Sequence, residues 1–374
     1  MDDRHPQRGP ALSAISPTPL PIAVRRARAA DRDAVLRFAT HTWDGWDYIP
    51  EAWQSWLEAG DGVFLVAEAG AEAQTPAGRI ARGQPIAISR IALLAEGEAW
   101  LEGIRVDPAV RGRGVATCLQ VAELAWARAQ GATWLRYATG EENAGSHRLG
   151  ARHGFGLLGA WRWYARRRDE AGEDAGDAGD AADGPEPAAG PTGTARHQVA
   201  PDASAAEVAR LWRLVDTDPT FEAGRRLYEC RSWAFQPLTE ERFAAHLRAG
   251  EVHAAPDGGR ALAITPRRAG WSEEQRPHVA LIAGDGDTAR RLMVDLREAF
   301  GGTLAMRLPW PDPPLVAGQE QAWATAGFGA WGSHSLHVLG RALPAGAALP
   351  AAPPLSLELL EPPRRVAIPS RIGD

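Results

Sequence analysis

Apolar and polar positions along the chain switch between a period of two and a period near 3.6, and the switches mark short strands alternating with amphipathic helices. IAVRRA (22–27) reads as a strand and DRDAVLRFATHTW, from Asp31, as an amphipathic helix. EAWQSWLEA (51–59) places Trp53, Trp56 and Leu57 on one face of a second helix. VFLVAE (63–68) and QPIAISRIALLAE (84–96) read as antiparallel strands with a polar turn between them, and AWLEGIRV (99–106) as a further strand. Residues 115–130 predict a long helix, with Val115, Leu119, Ala122, Trp126 and Ala129 at i, i+3/i+4 spacing. A strand TWLRYAT (133–139), a helix through 145–153 and a strand LLGAWRWYAR (157–166) complete the series. Antiparallel strands followed by a crossover helix give an α/β fold of the α+β sandwich type.

Three stretches lack this periodicity. Residues 1–21 carry five prolines, 167–195 are Ala, Gly, Asp, Glu and Pro with no large apolar side chain, and 343–374 are again rich in proline. They read as a disordered N-terminal tail, an acidic flexible linker and a C-terminal tail in which LSLELL (355–360) adds a short strand. Between them lie two units, 22–166 and 197–342, that read as diverged tandem copies. Both open on an alanine-rich helix in which Val35 and Val208 lie 173 positions apart. Both close on Gly-Phe-Gly followed by Ala-Trp, with Phe155 and Phe328 again 173 apart. WLEAGDGVFLVA (56–67) resembles HLRAGEVHAA (246–255) at a local offset of 190.

Composition narrows the function classes. A chain of 374 residues with 45% hydrophobic and 24% charged residues can build more than one core. The net charge of -6 argues against a general nucleic-acid binder, and eight acids between Asp169 and Glu186 more than account for it. No run approaches the ~18 apolar residues of a membrane span, and the N-terminus lacks a signal-peptide core, so a cytoplasmic protein with no membrane partner is expected. Cys118 and Cys230 form no CxxC pair, so neither a disulfide framework nor a metal site is predicted.

The segment with legible chemistry is EGIRVDPAVRGRGVAT, residues 102–117. A strand runs into a glycine-rich turn that opens a long helix, where free backbone N–H groups and the helix dipole favour an anion. Gly112 and Gly114 allow close approach of a phosphate, Arg111 and Arg113 add charge-assisted donors, and Thr117 offers a hydroxyl. Neither GxxxxGK[ST] nor GxGxxG is present, since Thr117 stands where a third glycine would fall.

R-x-x-G-x-A (Arg111, Gly114, Ala116) after V-D-P (106–108) resembles the acetyl-CoA pyrophosphate loop of the GNAT superfamily of N-acetyltransferases. The run from Asn143 through Ser146 and Leu149 to Gly154-Phe155 matches a second signature of that family. The resemblance covers about 22–166 and implies a mixed, mostly antiparallel sheet whose central parallel pair splays apart around the pantetheine arm of acetyl-CoA. It implies that backbone groups of Ile104, Arg105 and Val106 hold the pantetheine. The turn and helix start (Arg111, Gly112, Arg113, Gly114, Val115, Ala116, Thr117) would hold the pyrophosphate, with Asn143 and Ser146 near the thioester. Acetyl-CoA is then the donor substrate, and no metal is needed.

Direct transfer requires a base, and Glu102 is the candidate, placed on one face with Ile104 and Val106 by strand alternation; Glu98, Glu141 and Glu142 are the fallbacks. Many members of the family carry a tyrosine seven residues after the asparagine as acid, whereas this chain has Gly150. Water, Ser146, His147 or Tyr137 then remains for that role, and His147 and His153 read as solvent-facing helix residues. In TWDGWDYIP (42–50), Trp43, Trp46 and Tyr48 offer flat acceptor-binding surface, while Asp44 and Asp47 would attract a protonated amine. The run DYIP…WxxWL is also similar to the vertebrate histidine N-acetyltransferase-like group, in which a degenerate second copy follows the first.

A shift of 170 brings the pyrophosphate loop onto LIAGDG (281–286), where the arginines are gone and Asp285 and Asp287 would repel an anion. The second unit is therefore expected to be structural. It would pack on the first, shape the acceptor cleft with its segment 216–241, or support a homodimer. The expected activity is acetyl transfer to the primary amine of a small molecule such as an amino acid. Acetylation of a protein or peptide, and a silent coenzyme A sensor or scaffold, are the alternatives.

Overall fold

A computed structural model describes residues 20–40, 42, 47–166, 197–256, 259–266, 278–300, 304–310, 323–330, 334–346 and 348–349. The first half runs β1 (Ile22–Arg26), α1 (Arg32–Ala39), α2 (Ile49–Glu58), β2 (Gly62–Ala69), β3 (Ala73–Thr75), β4 (Gly78–Ile80), β5 (Pro85–Ala95) and β6 (Glu98–Val106). It continues with α3 (Val115–Ala129), β7 (Trp134–Gly140), α4 (Ala144–Arg152) and β8 (Gly156–Arg166). The second half runs α5 (Ala205–Asp216), α6 (Pro219–Ala223), β9 (Leu227–Arg231), β10 (Ala234–Pro237), α7 (Glu240–Arg248), β11 (Val252–Ala254) and β12 (Ala261–Ile264). After these come β13 (His278–Val279), β14 (Leu281–Gly284), α8 (Gly286–Ala299), β15 (Ala305–Pro309), β16 (Phe328–Ala330) and β17 (Leu336–Ala342). The expected elements of the first half are all present. The turn expected between β2 and β5 carries the β3–β4 hairpin, and the tails, the linker and LSLELL lie almost wholly outside the described residues.

One ten-stranded sheet, β1-β2-β5-β6-β7-β17-β8-β15-β13 with β16 beside β8, runs through both halves. Its strands β2 and β5 are buried on both faces, so alternation there sorts two apolar sets rather than an apolar from a polar one. In β2, Val63, Leu65, Ala67 and Ala69 pack toward α3 with Leu119, Ala122 and Trp126. Phe64 and Val66 pack on the other face with Val35 of α1 and Trp53 and Trp56 of α2. Ala129, expected on the buried stripe of α3, is exposed, while Trp126 and Ala127 in the turn before it are fully buried.

The two halves are joined by exchanged strands. β17, from the end of the second unit, lies between β7 and β8 and pairs antiparallel with both, Leu336–Ala342 against Trp134–Gly140 and Leu336–Gly340 against Gly156–Trp161. β8, assigned by sequence to the first unit, carries its far half into the second, where Trp161–Tyr164 pair with β15 and Tyr164–Arg166 with β16. Each half thus lends a strand to the other: β17 pairs within the sheet of the first half, and the far half of β8 pairs within that of the second.

The β9–β10 hairpin of the second half packs on the sheet face beside α1 and α2. Phe235, fully buried, lies with its ring centroid 4.8 Å from that of Trp161 and 6.2 Å from that of Trp100. Its turn is held by Trp233, at φ 61°, whose backbone N–H donates to Glu229 Oε1 at 2.7 Å. Glu229 in turn binds Arg307 of β15, and that guanidinium lies 4.5 Å from the ring centroids of both Trp163 and Trp233. The segment expected to reach the first unit does so through this hairpin.

Candidate active site

β6 and β7 pair in parallel only where Glu98–Trp100 meet Trp134–Arg136. Beyond that point β6 continues against β5 and β7 against β17, so the C-terminal halves of the parallel pair open a gap in the middle of the sheet. Glu102 and Tyr137 are the residues placed just beyond the fork.

The turn after β6 is built to leave donors free. Asp107 Oδ1 accepts from Ala109 N at 2.9 Å and closes a short helical turn over Pro108–Val110. Gly112 and Gly114 then take φ of 78° and 83°, a region that only glycine occupies cheaply. Gly114 occupies the cap of α3 without a side-chain cap, and the first helical bond there is Cys118 N to Gly114 O at 3.0 Å. The N–H groups of Val115, Ala116 and Thr117 thus precede the helix ladder and point out of its start. Arg111, Gly112 and Arg113 line an open cleft of about 530 Å³ with Pro76, Ala77, Pro108 and Ala109. Pro76 and Ala77 come from the β3–β4 hairpin, which stands where the pattern predicts a polar turn. Thr117 Oγ1 accepts from Arg152 at 3.2 Å. At the equivalent start of α8, Asp285 Oδ1 accepts from Thr288 N at 3.0 Å, and these backbone N–H bonds lower the Asp285 pKa. A carboxylate thus fills the place that stands open on α3.

Glu102 does not share a face with Ile104 and Val106. Arg90 opposes Glu102 while Ile88 opposes Arg105, so three steps on β6 match two on β5, and Gly103 bulges with φ 69°. The extra residue reverses the alternation. Ile104 and Val106 pack toward α3, whereas Glu102 and Arg105 lie on the α1–α2 face with Ile88. The bulge is shaped by Trp56: a Cβ at Gly103 would stand 2.3 Å from its ring.

On that face Glu102 meets a second-half side chain that the sequence did not reveal. Glu102 Oε1 binds Arg90 Nη1 and, at 3.2 Å, Arg231 Nη2 of β9. Asp61 binds Arg90 through Oδ1 and Arg231, at 3.2 Å, through Oδ2. Each guanidinium bridges both carboxylates in a closed, electroneutral ring. Arg90 and Glu102 are almost wholly enclosed, at 3% and 8% side-chain exposure, while Arg231 and Asp61 are open at 32% and 33%.

The other expected site residues divide. Arg105 turns its side chain to Asp47, with Nε to Oδ2 at 2.6 Å, so the fully enclosed Asp47 carboxylate is neutralised rather than offered to an amine. Tyr48 lies against the same guanidinium, 5.1 Å from its ring centroid, and burial pushes its phenol up to about 12. Trp43, Asp44 and Trp46 lie outside the described residues. Of the fallback acids, Glu98 pairs with Arg136 and Glu141 with Ser335, while Glu142 is exposed. Asn143 caps α4, its Oδ1 accepting from Ser146 N at 3.1 Å. His147 stacks edge-on against His337 of β17 at 5.1 Å. His153, expected at the surface, is buried beneath Arg341, which donates to its carbonyl.

Gly150 has a definite occupant. A Cβ there would lie 2.0 Å from the Tyr137 hydroxyl, so the β7 tyrosine fills the space a side chain on α4 would need. Tyr137 Oη donates to Ser146 O at 3.1 Å, and burial pushes the phenol up to about 12.

Residues 32–155, about a third of the chain, match the acetyltransferase (GNAT) family model, and the forked parallel pair and glycine-hinged helix start lie within that segment. The histidine N-acetyltransferase of Scomber australasicus is 31% identical over 107 residues, 28% of this chain and 28% of that protein. That of Oreochromis niloticus is 30% identical over 94 residues, 25% and 24% respectively. The matched stretch thus spans about a quarter of these relatives. Over nearly the whole length the fold is that of a GCN5-related N-acetyltransferase from Sphaerobacter thermophilus, with TM-score 0.51 and 14% identity over 88% of this chain and 98% of that one. No group of three or more His, Cys, Asp or Glu among the described residues is placed to hold a metal ion, and no described helix is long and apolar enough to cross a membrane.

Proposed function

We propose that the chain is an N-acetyltransferase that uses acetyl-CoA as donor and a small-molecule primary amine as acceptor. The observation that carries this reading is the fork between β6 and β7 beside the uncapped start of α3. The pyrophosphate would rest on the N–H groups of Val115, Ala116 and Thr117 with Arg111 and Arg113 alongside. The pantetheine arm would run along Ile104–Val106 into the fork, which delivers the thioester to the level of Glu102. A neutral amine attacks the thioester carbonyl, the C–N bond forms and the C–S bond breaks. Glu102 takes the proton the nitrogen sheds, and the thiolate leaves and is protonated by water. The Tyr137 hydroxyl is already committed as a donor to Ser146 O at 3.1 Å, which leaves this proton transfer to water.

The β9–β10 hairpin over Trp100 and Trp161 narrows the face on which a peptide would lie, which favours a small acceptor over a protein terminus. The names of the curated relatives point the same way. In this reading the second half, with α8 capped by Asp285, binds no coenzyme and serves as a diverged, structural copy. The test is to incubate purified protein with acetyl-CoA and a panel of amino acids, polyamines, aminoglycosides and short peptides, and to identify acetylated products by mass spectrometry. Glu102→Gln should abolish turnover while acetyl-CoA still binds. Binding without any product in the wild type would favour a coenzyme A sensor.

A further inference from the structure

Building on that reading, we propose that Arg231, delivered to the first half by the β9–β10 hairpin, is the acceptor-specificity residue and selects zwitterionic α-amino acids by taking their carboxylate. The argument starts from the ion-pair ring. Arg90 and Arg231 alternate with Glu102 and Asp61, so the ring has no net charge and presents cation and anion side by side. A zwitterion repeats that pattern: its carboxylate replaces Glu102 on Arg231, and its ammonium replaces Arg231 beside Glu102 and Asp61. A polyamine would add net positive charge next to two guanidiniums, and a dicarboxylate net negative charge next to two acids.

The ring is also built to be opened from one side. Arg90 and Glu102 are enclosed and keep one another, so withdrawing Arg231 does not strand Glu102 without a partner. Arg231 and Asp61, each about a third exposed, are the members a solute meets first. A guanidinium presents a planar fork to a carboxylate, which fixes the amino-acid backbone and with it the position of the α-nitrogen. Glu102 stands two residues beyond the last β6–β7 pair, so the nitrogen held against it lies at the fork where the thioester would arrive. The ammonium gives one proton to solvent before attack and the second to Glu102 as the C–N bond forms; coenzyme A leaves as thiolate and is protonated by water.

The experiment compares acid and amine pairs that differ only in the carboxylate, such as histidine with histamine and phenylalanine with phenethylamine, in the wild type and in Arg231→Gln. Binding of the same ligands to the protein saturated with coenzyme A is followed by calorimetry. The expected result is that the wild type prefers the acids, and that Arg231→Gln lowers the acid-to-amine ratio of kcat/KM at least tenfold, chiefly through KM. Arg231→Lys should fall between, and calorimetric affinity for the acid should drop in parallel. A ratio unchanged in Arg231→Gln, or a wild type that acetylates only the decarboxylated amines, overturns the proposal and leaves the acetyltransferase reading standing. A wild type that binds acetyl-CoA but acetylates nothing defeats both. A thermal melt of each variant separates loss of fold from loss of recognition, with Arg231→Lys carrying the comparison if Arg231→Gln melts early.

Discussion

Gly103→Ala puts the bulge on β6 to the test. The native φ of 69° lies where a residue with a Cβ costs about 1–2 kcal/mol. The added carbon would also stand 2.3 Å from Cη2 of Trp56, which is 4% exposed and has its ring centroid 5.2 Å from that of Phe64 and 5.9 Å from that of Tyr48. Such a ring cannot swing aside, and overpacking a filled core costs about 1–3 kcal/mol more. The sum, about 2–5 kcal/mol, lowers the melting temperature by roughly 5–15 °C for a unit of this size. Gly131→Ala is the control: its φ is 75°, but nothing stands within 4 Å of its Cβ, so it bears the backbone cost alone. Circular dichroism melts of the two variants measure the difference. The reasoning fails if Gly103→Ala melts with Gly131→Ala, since the clash with Trp56 would then have no weight. It also fails if Gly103→Ala is destabilised but keeps full turnover, since the bulge sets which face Glu102 occupies.

Three further outcomes are expected. Arg113→Asp should weaken acetyl-CoA binding at least tenfold by calorimetry without lowering the melting temperature, because the reversed charge faces the cleft before α3. Gly150→Ala should cost about 1–3 kcal/mol in urea unfolding, and Tyr137→Phe should recover part of it by removing the oxygen 2.0 Å from the new Cβ. Glu123, on the buried face of α3, is pushed up to about 8 by burial, so the folded chain keeps a proton that the unfolded chain loses above its ordinary value of 4.5. Its contribution is complete below pH 4.5 and is lost as pH rises toward 8; urea midpoints between those limits should fall more in the wild type than in Glu123→Gln.

The first half was legible because its periodicities are strong and its chemistry is local. The turn at Arg111–Thr117 acts through backbone groups and glycine angles, which a run of adjacent residues specifies. What was hidden depends on partners far apart in sequence. Glu102 was placed on the wrong face because a bulge adds one residue to the count, and the cause, the Trp56 ring, lies 47 positions away. Asp47 looked available because its partner Arg105 is 58 positions distant. Arg231, 129 positions from Glu102, carried no signal beyond belonging to an unusual insertion. The repeat at offsets of 173 and 190 located equivalent elements, but equivalent position says nothing about which copy a strand joins.

The place of β17 sets an order of events during synthesis. Leu336–Ala342 is synthesised long after β7 and β8, yet it separates them in the sheet that holds the fork. Until it arrives, a nascent first half has an unmatched edge along most of β7 and a second along β8. A chain cut short before residue 336 therefore leaves two sheet edges open to association with other chains.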